Sequence, residues 1–112
     1  MNLKVFSIYS PELPLYGVDA PTDVDNFCVY MCADIGTEDE DGVESFGFHV
    51  TTRTYLDGLE KSDIEISDKT ALVIARFSWS TIEEALNDIC SKIEEKNWSS
   101  AFDALSKRFD TL

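Results

Sequence analysis

The sequence predicts an α+β domain, an antiparallel sheet of about four strands packed by two C-terminal helices and one short helix. Two observations support this fold class. Alternating apolar and polar residues, typical of strands, recur along the chain as far as Trp79. Apolar residues at helical spacing follow, and strands that precede helices are typical of α+β proteins. A chain of 112 residues suits one hydrophobic core, so we expect residues 1–112 to form a single domain.

Two strands are predicted in the first third of the chain. Residues 2–9 form the first, in which Lys4, Phe6 and Ile8 alternate with Leu3, Val5 and Tyr9. Residues 10–25 contain three prolines and a glycine, which break regular structure, and long loops of this kind are often functional. Residues 26–35 form the second strand. Both of its faces are largely apolar, which predicts a central strand covered on both sides: Phe27, Val29, Met31, Ala33 and Ile35 on one, Cys28, Tyr30 and Cys32 on the other.

The middle of the chain adds two strands and a short helix. Residues 43–51 form the third strand, with Phe46, Phe48 and Val50 facing inward and Ser45, His49 and Thr51 on the opposite face. Tyr55, Leu56 and Leu59 indicate a short helix over 53–60, although Gly58 weakens it. The apolar run over 71–79 predicts the fourth strand.

Two amphipathic helices complete the predicted domain. Ser80 and Glu83 match a capping box, and Ile82, Leu86, Ile89, Cys90 and Ile93 form an apolar stripe that extends to about Lys96. Asn97 interrupts the pattern. A second stripe then runs to the C-terminus through Trp98, Ala101, Phe102, Leu105 and Phe109, and Trp98 is expected to anchor the last helix in the core.

Charge is the unusual feature of the composition. The chain has 22 Asp and Glu against nine Lys and Arg, a net charge of −13, with an ordinary hydrophobic content of 44%. Such a surface repels phosphate backbones and anionic lipids and attracts basic proteins. We therefore expect no direct nucleic-acid or membrane partner. The sequence also has no signal-peptide pattern or long apolar segment, which predicts a cytoplasmic protein.

The residues that support metal binding or catalysis are sparse. Cys28 and Cys32 are roughly 13 Å apart on an extended strand, too far for a disulfide or for chelation of one zinc ion. With Cys90 the count is odd, so we expect three free thiols. The single histidine, His49, has no evident catalytic partners. A calcium loop aligned on Gly42 fails because Thr37 occupies its first ligand position and Phe48 its last. We predict no catalytic residues, no metal and no cofactor.

Acidic residues concentrate in the predicted loops. Asp19, Asp23 and Asp25 precede the second strand, and Glu38, Asp39, Glu40 and Asp41 fill the hairpin before the third strand, which Glu44 then opens. Loop carboxylates can contact a partner without disturbing the core. Two interpretations of the hairpin stay open, a surface for a basic partner and a solvated loop.

Several short strings, in this order and spacing, resemble the immunity protein 8 family of bacterial polymorphic toxin and contact-dependent growth inhibition systems. They are Ser10-Pro11-Glu12, Asp25-Asn26-Phe27, Glu44-Ser45-Phe46, Tyr55-Leu56, the apolar run before Trp79, and Asn97-Trp98. The resemblance covers nearly the whole chain. It implies a non-enzymatic protein that is encoded beside a toxin and protects the producing cell by binding the C-terminal toxin domain.

Charge then suggests which toxin. A nuclease must bind phosphates and tends to be basic, so an inhibitor covering its substrate site gains from being acidic. We therefore expect a basic nuclease, with an RNase favoured, bound by a chain that is a monomer beforehand. The alternative is an acidic anti-nuclease or adaptor, a nucleic-acid mimic outside toxin immunity. The residues predicted to bind toxin are Glu38, Asp39, Glu40, Asp41, Glu44, Asp19, Asp23, Asp25 and Tyr16.

Overall fold

The computed structural model describes residues 2–38, 42–59 and 71–112. Its elements, in chain order, are β1 (Leu3–Tyr9), β2 (Cys28–Thr37), β3 (Val43–Thr51), α1 (Arg53–Asp57), β4 (Ala71–Val73), α2 (Trp79–Ser91), α3 (Trp98–Arg108) and β5 (Asp110–Thr111). Within these ranges, five strands belong to one sheet and are combined with three helices, which confirms the α+β fold class.

The sheet is mostly antiparallel. Its strand order is β1-β2-β3-β4, and the pairs β1–β2 and β2–β3 are antiparallel. β4 runs parallel to β3 along His49–Thr51, whereas β5 pairs antiparallel with β3 at Phe46 and Gly47. β4 and β5 thus occupy different stretches of β3, opposite the side on which β2 pairs. β5 was not among the predicted strands.

The register between β2 and β3 determines which residues enter the core. Nine residue pairs run from Cys28–Thr51 to Gly36–Val43. On one face, here called the inner face, the side chains are buried against α2 and α3, as the alternation predicted. This core includes Met31, Ile35, Phe46, Phe48, Val50, Ile82, Leu86, Leu105 and Phe109.

A bulge in β1 changes the alternation predicted for residues 2–9. The pairing with β2 shifts between Val5 and Ser7, so that Val5 lies opposite Ile35 and Ile8 lies opposite Ala33. Both therefore face inward, although simple alternation places Phe6 and Ile8 on the same face. An extra residue in one strand re-aims the side chains that follow it. As a result Ile8 is buried while Phe6 is exposed.

A buried polar corner joins β2, β3 and α1. The Thr52 N–H donates to the Phe27 carbonyl at 3.1 Å, and the Thr52 hydroxyl accepts from the Phe27 N–H at 3.2 Å. The same hydroxyl caps α1 by accepting from the Tyr55 N–H at 3.3 Å. Gly58 is the C-cap, so the helix predicted over 53–60 is shorter than expected, and position 60 lies outside the described residues.

The strand predicted over 71–79 ends at Val73. The chain then turns, and the Phe77 N–H donates to the Val24 carbonyl at 2.9 Å. α2 begins at Trp79 and its N-cap is Ser78, whose side chain accepts from the Thr81 N–H at 3.3 Å. The prediction that Ser80 caps this helix was wrong, because Ser80 lies inside it. The predicted stripe is confirmed for Ile82, Leu86 and Cys90, which are buried, but its predicted extension to about Lys96 was wrong, because the helix ends at Ser91.

α3 follows the predicted pattern but ends differently. Asn97 is its N-cap, and the Asn97 side chain accepts from the Ser100 N–H at 2.9 Å. Phe109 leaves the helix in an extended conformation, yet it is buried and its ring contacts Phe48, with centroids 5.3 Å apart. Trp98 packs on the edge of the core and is only partly buried.

This difference in burial predicts unequal effects of two truncations. Phe109→Ala should lower the free energy of unfolding by about 3–5 kcal/mol, because it removes a fully buried ring. Trp98→Ala should cost less, about 1–3 kcal/mol, because part of that ring already contacts water. Urea unfolding of both variants beside the wild type measures the two costs. A larger loss for Trp98→Ala would contradict the packing described here.

Candidate functional site

The structure places the predicted toxin-binding residues at both ends of the sheet. Tyr16, Asp19, Asp23 and Asp25 precede β2, whereas Glu38 and Glu44 flank the hairpin that follows it. A ten-residue strand spans roughly 33 Å, which separates Asp23 and Asp25 from Glu38 and Glu44. Tyr16 instead lies beside β1, where it lines a groove with Phe6 and Glu83. The predicted residues Asp39, Glu40 and Asp41 lie outside the described residues.

Two of the predicted residues hold the loop before β2 in place. The Tyr16 ring packs on Trp79, with centroids 4.8 Å apart, and its hydroxyl donates to the Glu83 carboxylate. That hydrogen bond is the main cause of a raised Tyr16 pKa, with burial and the Glu83 charge adding to it. The Asp19 carboxylate accepts from the Leu15 N–H at 2.9 Å, and the Asp19 carbonyl accepts from the Trp79 indole at 2.8 Å. Both residues therefore have a structural role.

The remaining predicted acids that lie within the described residues, Asp23, Asp25, Glu38 and Glu44, are exposed. The Asp23 carboxylate accepts a hydrogen bond from the Asp25 N–H at 3.0 Å. The Asp25 carboxylate forms an ion pair with Arg76 at 3.5 Å, and both side chains are exposed to solvent. A pair this exposed contributes little stability. At the opposite end, Glu38 lines a groove with Glu94 and Glu95, which follow α2. These carboxylates are available to act on a partner at a distance.

The second face of the sheet, here called the outer face, is formed by the side chains opposite the helix-covered core. It includes Cys28, Tyr30, Cys32 and Asp34 from β2. Cys28, Tyr30 and Asp34 are half-buried, so the prediction that β2 is covered on both sides holds fully only for the inner face. Burial raises the pKa of the Cys28 and Cys32 thiols.

Asp34 is a charged residue in the middle of this outer face. One carboxylate oxygen accepts from the Ser7 hydroxyl at 2.7 Å and the other accepts from the Ser45 hydroxyl at 2.6 Å. The two serines come from β1 and β3, on either side of β2, and hold the carboxylate in place. Each oxygen keeps a further lone pair for a donor from outside. Sequence analysis missed Asp34, although an aspartate within an apolar strand is itself a signal.

Tyr30 fixes the neighbouring part of the same face. Its ring lies over Gly47, where a Cβ would come within 2.6 Å of the Tyr30 Cζ. The His49 ring meets Tyr30 edge-on with centroids 5.0 Å apart, and the buried His49 Nδ1 has no hydrogen-bond partner among the described residues. Burial, followed by the charge of Asp110, raises the pKa of Tyr30.

The described part of the chain contains no group of three or more His, Cys, Asp or Glu residues arranged to hold a metal ion. The three cysteines are free thiols. Within the same residue ranges, no helix is both long and apolar enough to cross a membrane.

Comparison with known proteins identifies a family. The family model described as Immunity protein 8 matches residues 2–110 of the chain. Neither a curated protein nor a solved structure matches it. The family match agrees with the resemblance found in the sequence and extends over every element of the fold up to the start of β5.

The buried Cys90 predicts a pH dependence of stability. Burial raises its pKa from 9.0 to about 11, so the folded protein keeps a proton that the unfolded chain releases. The Cys90 contribution to stability should be complete below pH 9 and lost as the pH rises through 11. Urea unfolding of wild type and Cys90→Ala between these values measures it. The wild type should lose stability more steeply than the variant, and parallel curves would contradict this assignment.

Proposed function

The chain belongs to the immunity protein 8 family, and from this premise we propose that it binds and neutralises a toxin domain encoded beside it. The family match carries this proposal. Neutralisation is by occupation: the protein covers the active or substrate-binding site of the toxin and catalyses nothing. We propose that this inhibition takes place in the cytoplasm of the toxin-producing cell.

The charge supports a basic toxin, and a nuclease is the class we propose. With nine basic residues against 22 acids, at least 13 carboxylates lack a basic side chain of their own in this protein. A nuclease site concentrates Lys and Arg to bind phosphates, so an acidic surface meets complementary charge there. An RNase is favoured over a DNase in this proposal.

The acids at the two ends of the sheet are proposed to affect the rate at which the toxin is bound. Exposed charges act mainly on diffusional encounter and contribute little to the lifetime of a complex. The hairpin residues Glu38 to Asp41 are therefore proposed to speed association with the toxin, and Asp23 and Asp25 to do the same at the opposite end. Short-range contacts must then hold the complex together.

The proposed function predicts neutralisation in cells. Expression of the toxin domain encoded next to this gene should arrest growth, and co-expression of this chain should restore it, because the complex blocks the toxin. A non-cognate toxin domain should remain lethal, since immunity depends on a specific interface. Growth curves with both proteins checked for solubility provide the measurement. Continued arrest with soluble proteins would show that the proposed function is wrong.

A further prediction concerns the hairpin charges. Replacing Glu38, Asp39, Glu40 and Asp41 by their amides should slow association about tenfold at low ionic strength. It should also flatten the salt dependence of the association rate, because fewer charges are screened. Stopped-flow binding at three salt concentrations measures both effects.

The pair Asp23→Asn and Asp25→Asn is the comparison variant from the opposite end of the sheet. A slower association for only one set identifies the end that faces the toxin during encounter. Wild-type rates and salt slopes in the hairpin variant would show that the hairpin is a solvated loop without a role in binding.

A further inference from the structure

Large apolar side chains that remain exposed lie in two places on the described surface. One is the outer face of the sheet. Phe6 and Tyr9 on β1 are 47% and 43% exposed, and Val43 on β3 is 43% exposed. The other is the loop before β2, with Leu15, Tyr16 and Val18, and Tyr16 lines a groove with Phe6 where this loop passes the edge of the sheet. Apolar surface that is exposed in a group indicates an interaction site, whereas single exposed residues do not.

The register confirms that these sheet residues share the outer face. A Cβ added to Gly36, which follows Asp34 by two positions on β2, would lie 3.3 Å from the Phe6 ring and 3.0 Å from Val43 Cγ1. Tyr9 is opposite Cys32, which also faces outward. Val73 and Leu112 extend the same face, because Val73 pairs with Thr51 and the Leu112 N–H donates to the Ser45 carbonyl at 3.0 Å.

We propose that the outer face is the surface on which the toxin domain docks, with Asp34 accepting a lysine or arginine of the toxin and the aromatic residues packing around that contact. This inference rests on the proposed function and assigns it a binding surface. Asp34 is suited to the role because Ser7 and Ser45 already fix its carboxylate, and free lone pairs remain. Aromatic residues around one desolvated charged pair are typical of interface centres.

Charge complementarity identifies the occupant as a basic protein. A second copy of this chain also has a net charge of −13 and would place Asp34 and Asp110 opposite like charges on an equivalent face. Nucleic acid is disfavoured for the same reason. Lys4 is the one cationic side chain of β1, and its ammonium lies 5.2 Å from the centre of the Phe6 ring. A partner with basic side chains gains attraction at Asp34 and Asp110.

The central test is Asp34→Asn, measured with a catalytically inactive form of the toxin domain encoded beside this gene. Asparagine can accept a hydrogen bond from one serine and donate to the other, so the thermal unfolding midpoint should change little. The dissociation rate should rise about tenfold or more, because one partner of a desolvated charged pair is lost. Asp103→Asn on the exposed side of α3 makes the same charge change on the opposite layer, and should alter the dissociation constant less than about twofold.

Hydroxyl-radical footprinting of the unmodified protein gives a second readout that does not depend on any variant. In the complex, Phe6 and Tyr9 should be protected from oxidation while Leu15 and Val18 stay reactive. The double variants Phe6→Ser/Tyr9→Ser and Leu15→Ser/Val18→Ser should then show weakened and unchanged binding, respectively.

Each other outcome decides against the inference. Protection confined to Leu15 and Val18 would assign docking to the loop, and unchanged binding of Asp34→Asn with an exposed outer face would assign it to another surface. Protection of Phe6 and Tyr9 at rising protein concentration without toxin would assign the face to a second copy. In all three cases the proposed function survives if wild type still binds the toxin. If the wild-type chain does not bind the toxin, both the docking inference and the proposed function are wrong.

Discussion

The register between β2 and β3 is the constraint on which the rest of the structure depends. Side chains alternate between the two faces of a strand, so a slip by one residue would exchange every inner side chain with an outer one. Phe46 and Phe48 would then leave the core. The contact of Tyr30 with Gly47 favours the observed register, because a side chain in place of Gly47 would collide with the Tyr30 ring. The pairing of β2 with β3 therefore determines both which residues form the core and which lie on the outer face.

Two local features, one at each end of the paired strands β2 and β3, fit the neighbouring elements to that register. The β1 bulge returns Ile8 to the core and leaves Phe6 outside. At the opposite end, the Thr52 hydroxyl accepts from two N–H groups, those of Phe27 and Tyr55, and so satisfies the start of α1 where it leaves β3. Both α2 and α3 then pack on the inner face. The aromatic and acidic residues of the outer face remain accessible because the helix layer is on the other side.

The sequence predicted those parts of the fold that depend on periodicity. The inner residues of β2 and β3 and the stripes of α2 and α3 were recognised because burial alternates with a period of two or 3.6 residues. Element ends were less accurate. Ser78 rather than Ser80 caps α2, and Phe77 and Trp79 resemble strand residues in the sequence although they pack against Phe27 and Tyr16 around a helix start. β5 is two residues long, too short for a pattern, and forms because the buried Phe109 brings it to β3.

The candidate site was harder to predict for a related reason. Loop acids are visible in a sequence, whereas Asp34 gains its meaning from Ser7 and Ser45, which are 27 and 11 residues away. The exposed loop carboxylates and Asp34 also differ in how they can bind a partner. A flexible exposed acid attracts any basic partner, whereas Asp34 is already oriented and partly removed from water, so less conformational entropy is lost when a donor binds it.

The same pre-organisation provides selectivity in the proposed complex. A toxin that covers Asp34 with a correctly placed cation replaces the lost water with a charge-assisted hydrogen bond. A toxin that covers it with an apolar group leaves a charge desolvated and unpaired, which costs several kcal/mol. In the proposed complex, general acidity therefore recruits basic domains as a class, and a single fixed carboxylate among the aromatic residues of the outer face discriminates among them.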